Sequence, residues 1–221
     1  MTWYKFLARG ALGPFSGYTW PAPDGLGHPG EWLAATRLEP CRSGLHLLRP
    51  EDLPYWLCEE LYTVEVEGEV VPHGSFVLAR RARLVDRVGA WRQDAAVAFC
   101  EDCTVRVRDL AVEALRAEDR LADAGRLAAC GTTEEIQAVA ERIAEDTDEV
   151  VSPLMGYALD AAKFTDSARS SERWAAGTAT TAFVTAKAAA VAADGSAGHD
   201  ATAAERRRQG EWLASHLLVA H

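Results

Sequence analysis

A break in composition after Trp91 constrains this 221-residue chain more than any motif within it. Eight of nine prolines, ten of seventeen glycines and five of seven tryptophans precede the break, and 33 of 41 alanines follow it. Proline and glycine interrupt helices and punctuate strands, whereas alanine is the strongest intrinsic helix former. One polypeptide therefore carries two folding regimes. The expected fold class is α+β: a small, mainly antiparallel sheet domain over residues 1–91, then an all-α, alanine-rich helical bundle over residues 92–221.

Charge divides at the same place. The chain carries net −10, of which −2 belongs to the first half and −8 to the second. Nucleic acids and anionic membranes attract clustered positive charge, so the balance argues against general binding of either. The first residues, MTWYKFLARG, lack an apolar run long enough for a signal-peptide core, and no stretch of about 18 apolar residues occurs. The expected location is the cytoplasm. The five cysteines, Cys41, Cys58, Cys100, Cys103 and Cys130, have no repeated spacing and read as reduced thiols. Cys100 and Cys103 form a C-x-x-C compatible with a redox pair or half a zinc site, but no second pair accompanies it. Burial on one helix face is the plainer reading.

In the first half, Trp3 to Ala8 reads as a strand, and the loop from Gly10 to Gly30 is kept irregular by four prolines and packed by Phe15, Tyr18 and Trp20. Glu31 to Leu38 reads as a short helix, Gly44 to Leu48 as a strand, and Pro50 to Leu61 as a helix with proline in its first turn. Leu61 to Glu67 alternates with period two, Gly68 permits a tight reversal, and Ser75 to Val88 returns as strand carrying Arg80, Arg81, Arg83 and Arg87. In the second half, Gln93 to Leu127 reads as two helices broken near Val105. Thr132 with Glu135 is a capping box, Ser152-Pro153 opens another helix, Arg169 to Ala193 follows, and Thr202 with Glu205 caps a last helix over Ala203 to Val219. Arg206 to Arg208 read as the exposed side of that helix.

The series Tyr4-Lys5-Phe6, Pro14-Phe15-Ser16-Gly17, Trp20-Pro21, Gly30-Glu31-Trp32, Cys41-x-x-Gly44-Leu45-His46, Leu61-Tyr62-x-Val64-Glu65 and Arg81-Ala82-Arg83-Leu84 resembles an uncharacterised domain family of actinobacteria and their phages. The resemblance spans roughly residues 3–91, and the helical tail is similar to tails joined to that domain elsewhere. It implies a domain boundary and no established activity.

Two constellations could carry chemistry. Cys41, Ser43 and His46 flank a glycine turn, where a thiol or hydroxyl beside an imidazole could serve as nucleophile and base. The plain alternative is a core cysteine and a turn-anchoring histidine. Separately, Arg9, Ser43 and the Glu65-x-Glu67 pair stand in the chain order of ADP-ribosyltransferase-type enzymes, a resemblance that implies a nucleotide site with Glu67 positioning a ribose. The alternative is that a period-two strand turns both glutamates to solvent. Trp20, with Arg9, Arg81 and Arg83, completes the set of expected ligand-binding residues, since guanidinium forks match oxyanions. Pairing of the arginines with Glu65, Glu67 and Glu69 across an antiparallel sheet competes with that role.

No phosphate-binding G-x-x-x-x-G-K, dinucleotide fingerprint or H-E-x-x-H is present, and the sequence names no cofactor or metal. Two functions follow as expectations: a small-ligand or nucleotide-binding domain, with or without transferase activity, and a non-catalytic module whose helical half pairs with another copy or another protein.

Overall fold

The computed structural model describes residues 2–40, 42–145, 152–170, 172–193 and 197–218. The chain divides into two compact units, one comprising residues 1–92 with 210–221 and the other residues 93–209.

The first unit is a sheet of five strands, β1 (Trp3–Leu7), β2 (Leu33–Ala34), β3 (Leu45–Leu47), β4 (Glu60–His73) and β5 (Phe76–Arg87). Each of their pairings is antiparallel. β1 pairs with β4, β4 with β5, and β5 with both β2 and β3. Just beyond β3, Leu48 exchanges two backbone hydrogen bonds with Tyr4 of β1, 2.9 and 2.8 Å long. The sheet thus closes on itself, which pairs an edge of β1 that would otherwise be open to other chains. Leu7, Trp20, Leu47, Tyr62, Val64, Val77, Ala79, Ala82 and Leu84 pack on its inner face.

Several local expectations change. Residues 31–38 form no helix; only Leu33 and Ala34 are ordered against β5, held by Ala35 N–H donating to Arg80 O at 2.8 Å. Sheet pairing overrides the weak helical pattern there. Pro50–Tyr55 is a 3-10 helix rather than a helix reaching Leu61, because Pro54 lies inside it and β4 begins at Glu60. Gly68, at φ 86°, sits in a bulge within β4, and the reversal comes at Gly74, φ 56°. The long loop is only partly packed. Trp20 is buried, whereas Phe15, Tyr18 and Leu26 are exposed.

The second unit is built from α1 (Gln93–Ala117), α2 (Leu121–Ala128), α3 (Thr133–Glu145), α4 (Pro153–Arg169), α5 (Trp174–Ala192) and the larger part of α6 (Gly198–Leu217). α1 runs unbroken through Val105, and the break expected there comes at Asp119, which adopts φ 59°. The capping box is formed: Glu135 N–H donates to Thr132 Oγ1 at 3.2 Å, and Glu135 Oε2 accepts from Thr132 N–H at 3.1 Å. Ser152 caps α4 by accepting from Leu154 N–H. Thr202 is no cap, since α6 begins at Gly198 and the Thr202 hydroxyl donates back to the Gly198 carbonyl at 2.8 Å. Arg206 is buried and donates to Gln209 Oε1, contrary to the exposed position expected for it.

Cys100 and Cys103 lie fully inside this unit among Thr104, Thr165, Thr178, Thr181 and Thr185. Burial pushes the Cys100 thiol up to about 11 and the Cys103 thiol well above its ordinary value. The threonine hydroxyls of α4 and α5 are satisfied by carbonyls one turn back, as Thr165 on Ala161 and Thr181 on Gly177 illustrate. No helix among the described residues is long and apolar enough to cross a membrane.

Candidate ligand-binding surface

The residues singled out from the sequence fall on separate parts of the sheet unit. Cys41 lies outside the described residues. Ser43 is tied into its own turn, with its hydroxyl donating to Arg37 O at 3.0 Å and accepting from Arg37 N–H at 3.2 Å. Arg9 is exposed at the start of the long loop. Trp20 is buried on the inner face, where the Lys5 ammonium stands 4.7 Å from its ring centroid.

Glu65 and Glu67 sit opposite Arg83 and Arg81 in the β4–β5 register. Arg83 donates to Glu65 at 2.7 Å and Arg81 donates to Glu67, while Arg80 stands 3.9 Å from Glu69. Both Arg81 and Arg83 also lie 4.6 Å from the Trp32 ring centroid. The strand face is therefore a ladder of cross-strand ion pairs backed by a cation–π platform. Among the described residues, no hydrogen bond or ion pair joins Arg9, Ser43 and Glu67 to one another. A shallow hollow of about 390 Å3 lies elsewhere, between Trp3 and Val85 over Thr63–Val66, and Glu65 is the one expected site residue along it.

His46 leads to a different arrangement. It lies on β3 opposite Leu78, which puts its imidazole diagonally beside Phe76 of β5 with ring centroids 4.7 Å apart. From the other side, His73 of β4 faces Phe76 directly across the hairpin, 4.9 Å away. Phe76 meets Trp56 at 5.7 Å and 89°, and Trp56 meets Phe15 of the long loop at 6.0 Å and 86°. Edge-to-face contacts of this kind are favoured by the aromatic quadrupole. The indole is fixed by its N–H donating to Ser75 O at 2.8 Å. Phe15, at the outer end, is 86% exposed, and Tyr55, next to Trp56 in the chain, is 44% exposed.

Electrostatics at the inner end are one-sided. The Lys5 ammonium donates to the His46 carbonyl at 2.8 Å, and burial lowers its pKa to about 8. His46 is itself held below its ordinary value, first by burial and then by the charges of Lys5 and His73, with a hydrogen bond to the Gly44 backbone acting the other way. Close by, Arg49 reaches the Gly74 carbonyl at 2.9 Å, but its charge is engaged by Asp52 at 2.6 and 2.9 Å. Gly44, at φ 120°, carries the turn before β3, and a Cβ there would meet Leu78 at 3.0 Å.

Of this ladder the sequence supplies His46 alone as a site residue. Phe15, Trp56, Phe76 and His73 escape a linear reading because they come from a loop, the end of a 3-10 helix and two strands. One signal was available, the Pro72-His73-Gly74 turn, which sets His73 opposite Phe76. Nothing matches this chain at the level of a protein-family profile, a curated protein or a solved structure.

Proposed function

We propose that the sheet unit is a non-catalytic binding domain for a planar aromatic ligand of the nucleobase type, which stacks on the exposed Phe15 ring that ends the Phe15–Trp56–Phe76 ladder. The observation that carries this reading is the 86% exposure of Phe15 at the end of an ordered aromatic series. An exposed phenyl forgoes a burial free energy of roughly 1.5–3 kcal/mol, and a stacking ligand recovers part of it. A single stacked base contributes about 1–3 kcal/mol, so a lone nucleoside should bind weakly. The engagement of Ser43, Glu65 and Glu67 by other protein groups favours binding over catalysis.

Adenosine titrated into the protein should quench tryptophan fluorescence and shift the Trp56 indole resonance. Phe15→Ala should remove both effects without moving the unfolding midpoint, because the side chain buries almost nothing in the free protein. Absence of any shift at millimolar ligand, or an unchanged response in Phe15→Ala, refutes the reading.

A second reading, a protein-interaction module acting through the helical half, draws on one observation. Phe183 of α5 is 51% exposed with the Lys187 ammonium 5.5 Å from its ring centroid, and Val191 of the same helix is also exposed. Light scattering of the wild type and of Phe183→Ala tests it, with a monomeric mass in both counting against self-association.

A further inference from the structure

The ladder ends differently at its two poles. The Phe15 pole is apolar and exposed, whereas the Phe76 pole carries imidazoles from two strands, His46 from β3 and His73 from β4; the Lys5 ammonium of β1 reaches only the His46 backbone carbonyl and lies against Trp20 on the inner face. Phe76 itself comes from β5 and supplies the ring between the two imidazoles. Among the described residues, no carboxylate is paired with His46 or His73. Of the acids nearest along the chain, Glu69 stands 3.9 Å from Arg80, and Glu51 and Asp52 stand 3.3 and 2.6 Å from Arg49. A cluster of basic side chains without a paired carboxylate, beside an aromatic platform, is complementary to a ligand that is aromatic at one end and anionic at the other.

We infer that the ligand of this surface is a phosphomonoester of a planar aromatic base, its ring stacked at the Phe15–Trp56 end and its phosphate held at the imidazoles of His46 and His73 that flank Phe76. The inference rests on the proposed aromatic-ligand reading and adds the chemical class of the ligand and the sign of its pH dependence. The successive ring separations of 6.0, 5.7 and 4.7 Å lay the platform and the imidazoles out in the order that base and phosphate require.

Protonation of the His46 imidazole adds a donor and a positive charge where the phosphate would sit, so binding tightens as pH falls. The charged groups acting on His46 are Lys5 and His73, and both are basic, so neither opposes the incoming anion. A bound dianion would offset the mutual repulsion that helps keep His46 neutral. Phosphate binding and imidazole protonation are therefore linked, each favouring the other.

The test compares adenosine, AMP and inorganic phosphate by isothermal titration at about pH 8 and about pH 6.5, the lower value kept above the phosphomonoester's second pKa of about 6 so that the ligand stays mainly dianionic. AMP should bind about tenfold more tightly than adenosine at the lower pH, and the preference should shrink to about twofold at the higher pH, as expected for one or two charge-assisted contacts. His73→Gln, an exposed substitution, should remove most of the AMP preference while leaving adenosine binding intact. His46→Gln should abolish most of the pH-dependent gain, with its unfolding midpoint measured alongside to show that it is folded.

If adenosine binds and AMP gains nothing at low pH, the phosphate pole is refuted while the aromatic reading stands. The phosphate pole is likewise refuted if His73→Gln and His46→Gln both keep the full AMP preference, or if inorganic phosphate alone binds as tightly as AMP. If neither nucleoside nor nucleotide binds, the aromatic reading fails and this inference fails with it.

Discussion

Gly177→Ala tests the helical unit at the place where its packing is tightest. A Cβ built on Gly177 of α5 would lie 2.6 Å from Ala168 N, 2.8 Å from Phe164 O and 2.9 Å from the Ser167 carbonyl carbon. All three are backbone atoms of α4, so no side chain can rotate away and the helices must separate. Overpacking typically costs about 1–3 kcal/mol, and the rigid backbone neighbours put this site in the upper part of that range. Removing a glycine from a helix interior returns up to about 1 kcal/mol. The net loss should be about 1–2 kcal/mol, which for a chain of this size lowers Tm by about 2–8 °C. Gly156→Ala supplies the control. It sits on α4 with nothing within 4 Å of the added Cβ, so the same substitution should stabilise there by up to about 1 kcal/mol. Urea titrations followed by far-ultraviolet circular dichroism read both. A Gly177→Ala protein that unfolds at the same or higher urea than the wild type would refute the argument that α4 and α5 meet backbone to backbone.

Three further outcomes follow from buried polar groups. Glu60 is buried and accepts from Ala11 N–H at 2.9 Å and Tyr62 O–H at 3.0 Å. Glu60→Ala strands both donors at a cost of about 1–3 kcal/mol each, and Glu60→Gln should lose less, as read from urea midpoints. The folded-state pKa of His46 lies below its unfolded value of 6.5, so the unfolded chain binds the proton more readily. Stability is therefore full above that value and is lost as pH falls through and below it; thermal midpoints across that range should flatten in His46→Gln. Burial raises all four described thiols, Cys58 to about 12 and Cys100 to about 11, with Cys103 and Cys130 also raised. In a Cys41→Ser variant, a chromogenic disulfide reagent near neutral pH should label these thiols far more slowly in buffer than in denaturant; equal rates would contradict their placement.

The α+β class was legible because proline and glycine are concentrated before the break and alanine after it, and these act on the backbone locally. The helix starts at Thr133 and Pro153 were legible for the same reason, since the cap and the helix it starts lie within a few residues. The pairing of Glu65 and Glu67 with Arg83 and Arg81 was open as one of two readings, and the register decides it in favour of cross-strand ion pairs. The Glu31–Leu38 segment and the Gly68 reversal differ from expectation. In the first case two hydrogen-bonding strand positions outweigh helix propensity, and in the second a glycine with positive φ serves a bulge as readily as a turn.

Taken alone, the sequence determined where the polypeptide changes from strand-forming to helix-forming, where two of its helices are capped, and that acidity resides in the helical half. These properties depend on neighbours within one or two turns of chain. Only the tertiary structure decided that the sheet closes through Tyr4 and Leu48, that Gly177 lets α4 and α5 touch, and that Phe15, Trp56, Phe76, His46 and His73 share one surface. Each of those depends on the register between segments distant in sequence. Register follows from the summed packing of the sheet and helices, and no local pattern encodes it.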